Sequence, residues 1–158
     1  MLIRGALAEM RTLLFELRPS EFTTESMARL FELLAQSTRA HTRAEVTLNV
    51  EANILPPQDV TMAIYRIAQE ALNNVTKHAL PGEVFINLDC DANSARLSIK
   101  DDGRGFDPEA IPPGHLGVSI MRERAQLIGA RMEIHSEIGK GTKVLVSWLA
   151  TEGKREDA

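Results

Sequence analysis

Glu70, Asn74 and His78 stand four residues apart, with Lys77 beside the last, in the stretch Glu-Ala-Leu-Asn-Asn-Val-Thr-Lys-His at 70–78. On a helix this spacing stacks a carboxylate, an amide and an imidazole along one face. Ala68, Ala71, Leu72, Val75 and Ala79 fall on the opposite, apolar face. A helix with polar chemistry on one side and core on the other makes the wall of a site. Three glycine turns follow in order: Asp-Asp-Gly-Arg-Gly (101–105), Gly114-His115-Leu116-Gly117 and Gly139-Lys140-Gly141-Thr142. One such helix followed by three such turns is a nucleotide-site layout. It is not a Walker site, because the sequence holds no G-x-x-x-x-G-K-[ST].

The residue types suit that chemistry. Magnesium takes oxygen ligands, usually one or two from protein and the rest from phosphates and water. The Asn74 side-chain carbonyl supplies one without adding charge beside a triphosphate. Glu70, one turn earlier, can take a proton from an attacking nucleophile or orient it. Lys77 offers a cation to phosphate, and His78 a further donor near the helix end. Asp101 follows an alternating run at Leu97 and Ile99. A carboxylate there accepts a hydrogen bond from the exocyclic amine of adenine and so selects ATP. Gly103 and Gly105 remove side chains where a flat base must approach the backbone. Gly114 and Gly117 flank His115 and Leu116 at the entry to a helix, where unpaired backbone amides bind phosphate. The glycine- and proline-bearing loop ahead of that helix is suited to close over a nucleotide as a lid. Gly141 and Thr142 sit at a strand turn. Singly, each feature has a plainer reading: a solvated helix face, an acidic turn, a tight hairpin. Their conjunction is what points to a nucleotide.

Bulk properties narrow the classes. The chain has 158 residues, enough for one domain with a sizeable core, and 44% hydrophobic and 25% charged residues, as in soluble globular proteins. Net charge is −4 and no run of Lys or Arg exceeds two, which argues against nucleic-acid binding. The single cysteine, Cys90, cannot form an internal disulfide and reads as a small buried hydrophobe in a reducing compartment. No stretch approaches the roughly 18 apolar residues of a membrane span. Met1-Leu2-Ile3 is followed at once by Arg4 and Glu9, which does not read as a secretory leader. Any membrane or sensory part is expected to lie outside these residues, with this domain in the cytoplasm.

The elements that must position the motifs are visible as periodicities. Ile3, Leu7, Met10, Leu14 and Leu17 form an a/d seam that stops at Arg18-Pro19. It reads either as a terminal helix packed on its own domain or as the stub of a longer dimerisation helix. Thr23 or Thr24 caps a helix from Glu25 to about His41, with Met27, Leu30, Phe31 and Leu34 at helical spacing. Val46, Leu48 and Val50 alternate as in a half-buried strand. Pro56-Pro57 opens the long helix that runs to about His78, and Pro81-Gly82 ends it. Val84, Ile86 and Leu88, then Leu97 and Ile99, give two strands around an Asp91–Ser94 turn. Residues 102–117 read as a loop and Val118–Gly129 as a helix. Met132 and Ile134, then Val144, Val146 and Trp148, give two more strands. Alternation in all five strands implies one buried and one wetter sheet face. The predicted class is α+β: a two-layer sandwich with three helices on one face of a mixed five-stranded sheet.

At these motifs the chain resembles the catalytic, ATP-binding domain of bacterial two-component sensor histidine kinases, with the GHKL (Bergerat) fold. Residues 70–79 resemble the family's N box. Residues 101–106 resemble its G1 box, with Asp101 as the adenine-reading aspartate. Gly114-His115-Leu116-Gly117 resembles G2, and Gly139-Lys140-Gly141-Thr142 the closing glycine turn. Glu16-Leu17-Arg18-Pro19 and Gly117-Val118-Ser119-Ile120-Met121-Arg122-Glu123-Arg124 look like the branch paired with LuxR/NarL-type response regulators. The departures are Gly129-Ala130, where the branch usually has two glycines, and Val118, where leucine is common.

The resemblance implies three parts: 1–18 as the end of a dimerisation helix, 19–150 as the ATP-binding domain, and 151–158 as a polar tail. It implies ATP and Mg²⁺ as ligands, Glu70 as catalytic, and Asn74 as the metal ligand. Lys77, His78, Asp101, Gly103, Gly105, Gly114, His115, Leu116, Gly117, Gly141 and Thr142 would complete the nucleotide site. The γ-phosphate would go to a histidine on a dimerisation domain and then to the regulator, in a homodimeric parent. No phosphoacceptor His-Asp pair occurs in this sequence, and His41 stands in a different context, Thr-Arg-Ala-His-Thr-Arg. These residues alone are therefore not expected to autophosphorylate. An anti-sigma-factor serine kinase with the same ATP fold, or a scaffold that kept the fold without the activity, are the rival readings. The 2–19 helical segment and 121–124 count against the first; intact Glu70, Asn74 and Asp101 count against the second.

Overall fold

A computed structural model describes residues 23–110 and 116–151. The a/d seam at 3–17, the Glu16–Pro19 junction, and Gly114 and His115 lie outside them. Helix α1 is Thr24–Thr42. Thr23 caps it: its hydroxyl accepts from the Ser26 N–H, and the Ser26 hydroxyl accepts from the Thr23 N–H. This is a capping box with serine in the place glutamate usually takes. Arg43, left-handed at φ 60°, closes the other end. Strand β1 (Glu45–Ala52) follows.

Helix α2, Gln58–Asn74, starts directly after Pro56-Pro57 and continues into a π-helical turn, Val75–Ala79. The Thr76 hydroxyl donates to the Leu72 carbonyl at 2.9 Å, and the Val75 N–H is shared between the Ala71 and Leu72 carbonyls. A side chain that captures a carbonyl one turn back competes with the regular ladder. Leu80, left-handed at φ 48° and followed by Pro81, ends the helix.

β2 (Glu83–Cys90) and β3 (Ser94–Asp101) form a hairpin. Asp91 closes it by accepting from the N–H groups of Asn93 and Ser94. Helix α3 is Leu116–Leu127, and β4 (Arg131–Glu137) and β5 (Gly141–Leu149) form the last hairpin. The sheet order is β1-β2-β3-β5-β4, with β1–β2 parallel and the other pairs antiparallel. The single parallel pair is the one that needs a crossover, and α2 supplies it. The element order and the mixed five-stranded sheet agree with the predicted fold.

Strand alternation places Val84, Ile86, Leu88, Leu97, Ile99 and Val146 under the helices. Residues such as Glu83, Asn87 and Lys100 are left in water. Ala68, Ala71, Leu72, Val75 and Ala79 are all buried, so the helix that carries Glu70 and Asn74 is anchored by its apolar side. Phe31 of α1 meets Tyr65 of α2 edge to face, with ring centroids 6.2 Å apart. Cys90 is buried, as expected, and burial together with Asp89 and Asp91 raises its thiol pKa. Among the described residues no helix is long and apolar enough to cross a membrane.

Candidate functional site

The predicted site residues fall into two groups, joined where the end of α2's π turn meets the 101–105 turn. In the first, Glu70 and Asn74 are half-buried on α2 and face the start of α3. A Cβ built on Gly117 would lie 2.5 Å from Glu70 Oε1 and 3.3 Å from both amide atoms of Asn74. Glycine at 117 brings the start of α3 against the two polar side chains, which would have to shift to admit a larger residue. The first amides of α3 have no partner within the helix; such a helix end, able to receive an anion, sits beside a carboxylate and an amide oxygen.

The second group surrounds Asp101, the last residue of β3, which is only 3% exposed. Its carboxylate accepts from the Gly103 N–H at 2.9 Å and from the Thr142 backbone N–H. Burial raises its pKa and Asp102 adds to this, against the two backbone donors that lower it; the net direction is upward. Thr142 pairs with Asp101 in the β3–β5 register. A cleft of about 410 Å³ opens here, lined among others by Asp101, Pro108, Ile134, Ser136, Gly141 and Thr142. Its size is within the range of small-molecule sites.

The joining contact is made by glycine. A Cβ at Gly103 would collide with the carbonyl and Cβ of Ala79, and the next residue, Arg104, donates its N–H to that carbonyl at 2.7 Å. The end of the N-box helix is thereby pinned to the turn that follows Asp101. Gly105, at φ 59°, passes so close to the Glu137 carbonyl that no side chain fits, and Gly139 donates to the Arg104 carbonyl at 2.6 Å. The 101–105 turn and the 137–141 turn are thus one packed unit.

The remaining expected residues lie as follows. Glu70 and Asn74 share a face, but the regular four-residue register that would continue to His78 stops at Asn74, because the π turn begins at Val75. Lys77 and His78 are both exposed. Leu116 is 67% exposed at the head of α3. Gly114 and His115 lie outside the described residues.

Two contributors escaped the sequence reading. Asp102, exposed beside buried Asp101, accepts from the N–H groups of Gly82 and Glu83, which holds its carboxyl below the usual range. It ties the residues after the N-box helix to the G1 turn. Ser136 accepts from the Phe106 N–H at 2.8 Å and lies 2.8 Å from the Thr142 hydroxyl. The only signal for the first is a doubled aspartate with one member out of strand phase. Nothing in the motifs marks the second.

The chemistry of the donors bears on a metal. Among the described residues no three His, Cys, Asp or Glu side chains converge. Asn74 with Glu70 nearby is the sparse oxygen set that suits magnesium completed by phosphates and water rather than an all-protein cage.

Residues 59–152 match the family of histidine kinase-, DNA gyrase B- and HSP90-like ATPases. The chain is 26% identical over 147 residues to the signal transduction histidine-protein kinase/phosphatase DegS of Brevibacillus brevis, a match covering 92% of this chain and 38% of that one. It is 30% identical over 138 residues to the sensor histidine kinase LiaS of Bacillus subtilis, covering 87% of this chain and 38% of that one. Thus the chain spans well under half the length of these relatives. Among solved structures, the histidine kinase domain of the Erythrobacter litoralis EL346 blue-light activated histidine kinase superposes with a TM-score of 0.62 at 24% identity. That match covers 77% of this chain and 64% of the other, and it shows the shared fold. From the family match and the site geometry together, this chain belongs to the histidine kinase-, DNA gyrase B- and HSP90-like ATPase family.

Proposed function

We propose that residues 19–150 are the ATP-binding catalytic domain of a sensor histidine kinase, and that 1–18 end its dimerisation helix. The observation that supports this best is Asp101, buried at the cleft with its carboxylate steadied by two backbone donors. One further acceptor position on that carboxylate suits the adenine amine. Asn74 would hold Mg²⁺, and the first amides of α3 would receive phosphate oxygens. Bound magnesium would supply charge neutralisation for the β- and γ-phosphates. Glu70 would accept the proton from a phosphoacceptor histidine, or orient it, as that nitrogen approaches the γ-phosphate. Lys77 would add a cation at the phosphate end. The phosphoryl group would pass from that histidine to a response regulator of the LuxR/NarL type, in a homodimer, in the cytoplasm. The histidine kinases among the relatives favour this reading over a serine kinase acting on an anti-sigma factor.

Calorimetry with ATP and Asp101→Asn tests it. Asparagine keeps the size and can still accept from Gly103, but presents an amide donor where the adenine amine also donates. Loss of one charge-assisted bond is expected to weaken ATP binding by roughly 1.5–3 kcal/mol. Equal affinity for both proteins would sink the assignment. The same pair of proteins carries a pH prediction. The accepting form is the carboxylate, and its pKa is raised, so the wild-type advantage over Asp101→Asn is full well above that pKa. The advantage fades as pH falls through it, beginning at a higher pH than an ordinary aspartate would give. Comparing the two at each pH cancels the titration of the nucleotide's own phosphates. Asn74→Ala is expected to weaken the magnesium-dependent part of binding and to leave any metal-free binding nearly as it was.

A further inference from the structure

Ser136 lies on β4 at the mouth of the cleft, opposite Thr142 in the β4–β5 register. Its hydroxyl has three neighbours: the Phe106 N–H at 2.8 Å, the Gly141 carbonyl at 3.1 Å and the Thr142 hydroxyl at 2.8 Å. The Ser136–Thr142 contact could run in either direction by itself; with all three neighbours bonded at once, the single Ser136 proton allows one arrangement. A backbone N–H can only donate and a carbonyl can only accept. Phe106 therefore takes one lone pair of Ser136 Oγ, and Gly141 takes its proton. The remaining lone pair accepts the proton of the Thr142 hydroxyl. Thr142 Oγ1 then presents only lone pairs to the cleft, on the strand position paired with Asp101.

From this we infer that Ser136 is a positioning residue for base recognition. It fixes the Thr142 hydroxyl as an acceptor beside the Asp101 carboxylate, so that this pair offers two acceptors side by side, while the cleft's cations, Lys100, Lys140 and Lys143, come from other positions of its lining. A primary amine, with two hydrogens, is the group such a pair selects; a carbonyl at the same place on a base meets two acceptors and is refused. Ser136 thus extends adenine selectivity beyond Asp101 without touching the base itself. The inference rests on the nucleotide reading of the cleft proposed above.

The test is calorimetry with two nucleotides: ATP, and purine riboside triphosphate, which lacks the exocyclic amine. Ser136→Ala frees the Thr142 hydroxyl to rotate and donate. It is expected to weaken ATP binding about tenfold and to leave purine riboside triphosphate within about twofold of wild type. Ser136→Thr, which keeps the hydroxyl on a strand that tolerates β-branching, is expected to restore ATP binding. In a Thr142→Val background, Ser136→Ala is expected to have little further effect, because the hydroxyl it orients is gone. Ser136→Ala binding ATP like wild type would overturn the inference while leaving the ATP site intact. An equal loss for both nucleotides would also overturn it, since that marks a role in holding the hairpin alone. Wild type that binds no ATP would instead overturn the reading of the site, and this inference with it.

Discussion

Glu70→Gln is expected to bind Mg-ATP almost as wild type does and to transfer its γ-phosphate far more slowly. The comparison is made with a phosphoacceptor-histidine domain supplied in cis or in trans, following label on the histidine. Glutamine keeps the length and the hydrogen-bonding outline of glutamate but cannot accept a proton at neutral pH. It fits the same space against Gly117, where a Cβ would meet the Glu70 carboxylate before anything else. The loss is therefore expected in the chemical step, where help from a general base is worth about 10²–10⁴-fold. Single-turnover rates at saturating ATP, beside calorimetric affinities, separate the two effects. Should Glu70→Gln lose ATP binding while Asn74→Ala keeps it, the two side chains would exchange roles. Were both variants indistinguishable from wild type, they would merely solvate a helix face, where substitutions rarely matter by more than about 0.5 kcal/mol.

Gly141→Ala is expected to destabilise the fold by about 3 kcal/mol or more, and Gly139→Ala by only about 1–2. Both glycines are left-handed, at φ 82° and φ 83°, so the backbone strain of adding a Cβ is common to the pair. Their surroundings differ. A Cβ at Gly139 meets nothing within 4 Å. At Gly141 it would run into the Asp101 carbonyl and lie 2.9 Å from the Asp102 Cα, and backbone cannot rotate away as a side chain can. Relief requires β3 and β5 to part at the Asp101–Thr142 pair, which also moves the carboxylate proposed to read the base. Urea denaturation of the two variants measures the difference. A similar loss from both would show that the close approach to Asp101 carries no energy.

The elements were legible because their periods are clean. Alternation at Val84-Ile86-Leu88 and the apolar positions of 68–79 are enough to orient a strand and a helix, and both bury the faces their spacing implies. Asp101 was legible as special because it opens the Asp-Asp-Gly-Arg-Gly turn directly after the alternating run at Leu97 and Ile99. The π turn was not legible. Thr76 bonds the Leu72 carbonyl one turn back, but Thr38 and Thr42 do the same in α1 and leave that helix regular, so the residue types do not mark the change. The contacts of Asp102 and Ser136 were hidden for another reason. They join segments 19–30 residues apart, to backbone N–H groups, which every non-proline residue carries alike. Side-chain chemistry can be read in a line of residues; the choice of backbone partner is made by the fold.

Because α2, β3, α3 and β5 each contribute to the candidate site, no fragment of it survives in the unfolded chain. A ligand that binds there favours the native state alone, and the two equilibria become one. At a hundred times its Kd a nucleotide would raise the free energy of unfolding by about 2.7 kcal/mol. Melting curves recorded with and without ATP then sort damage by kind. A lesion in recognition, such as Asp101→Asn, shrinks the increment that ATP adds. A lesion in the scaffold, such as Gly141→Ala, lowers the melt in both conditions. The protein's resistance to heat and proteases becomes a readout of how much nucleotide surrounds it.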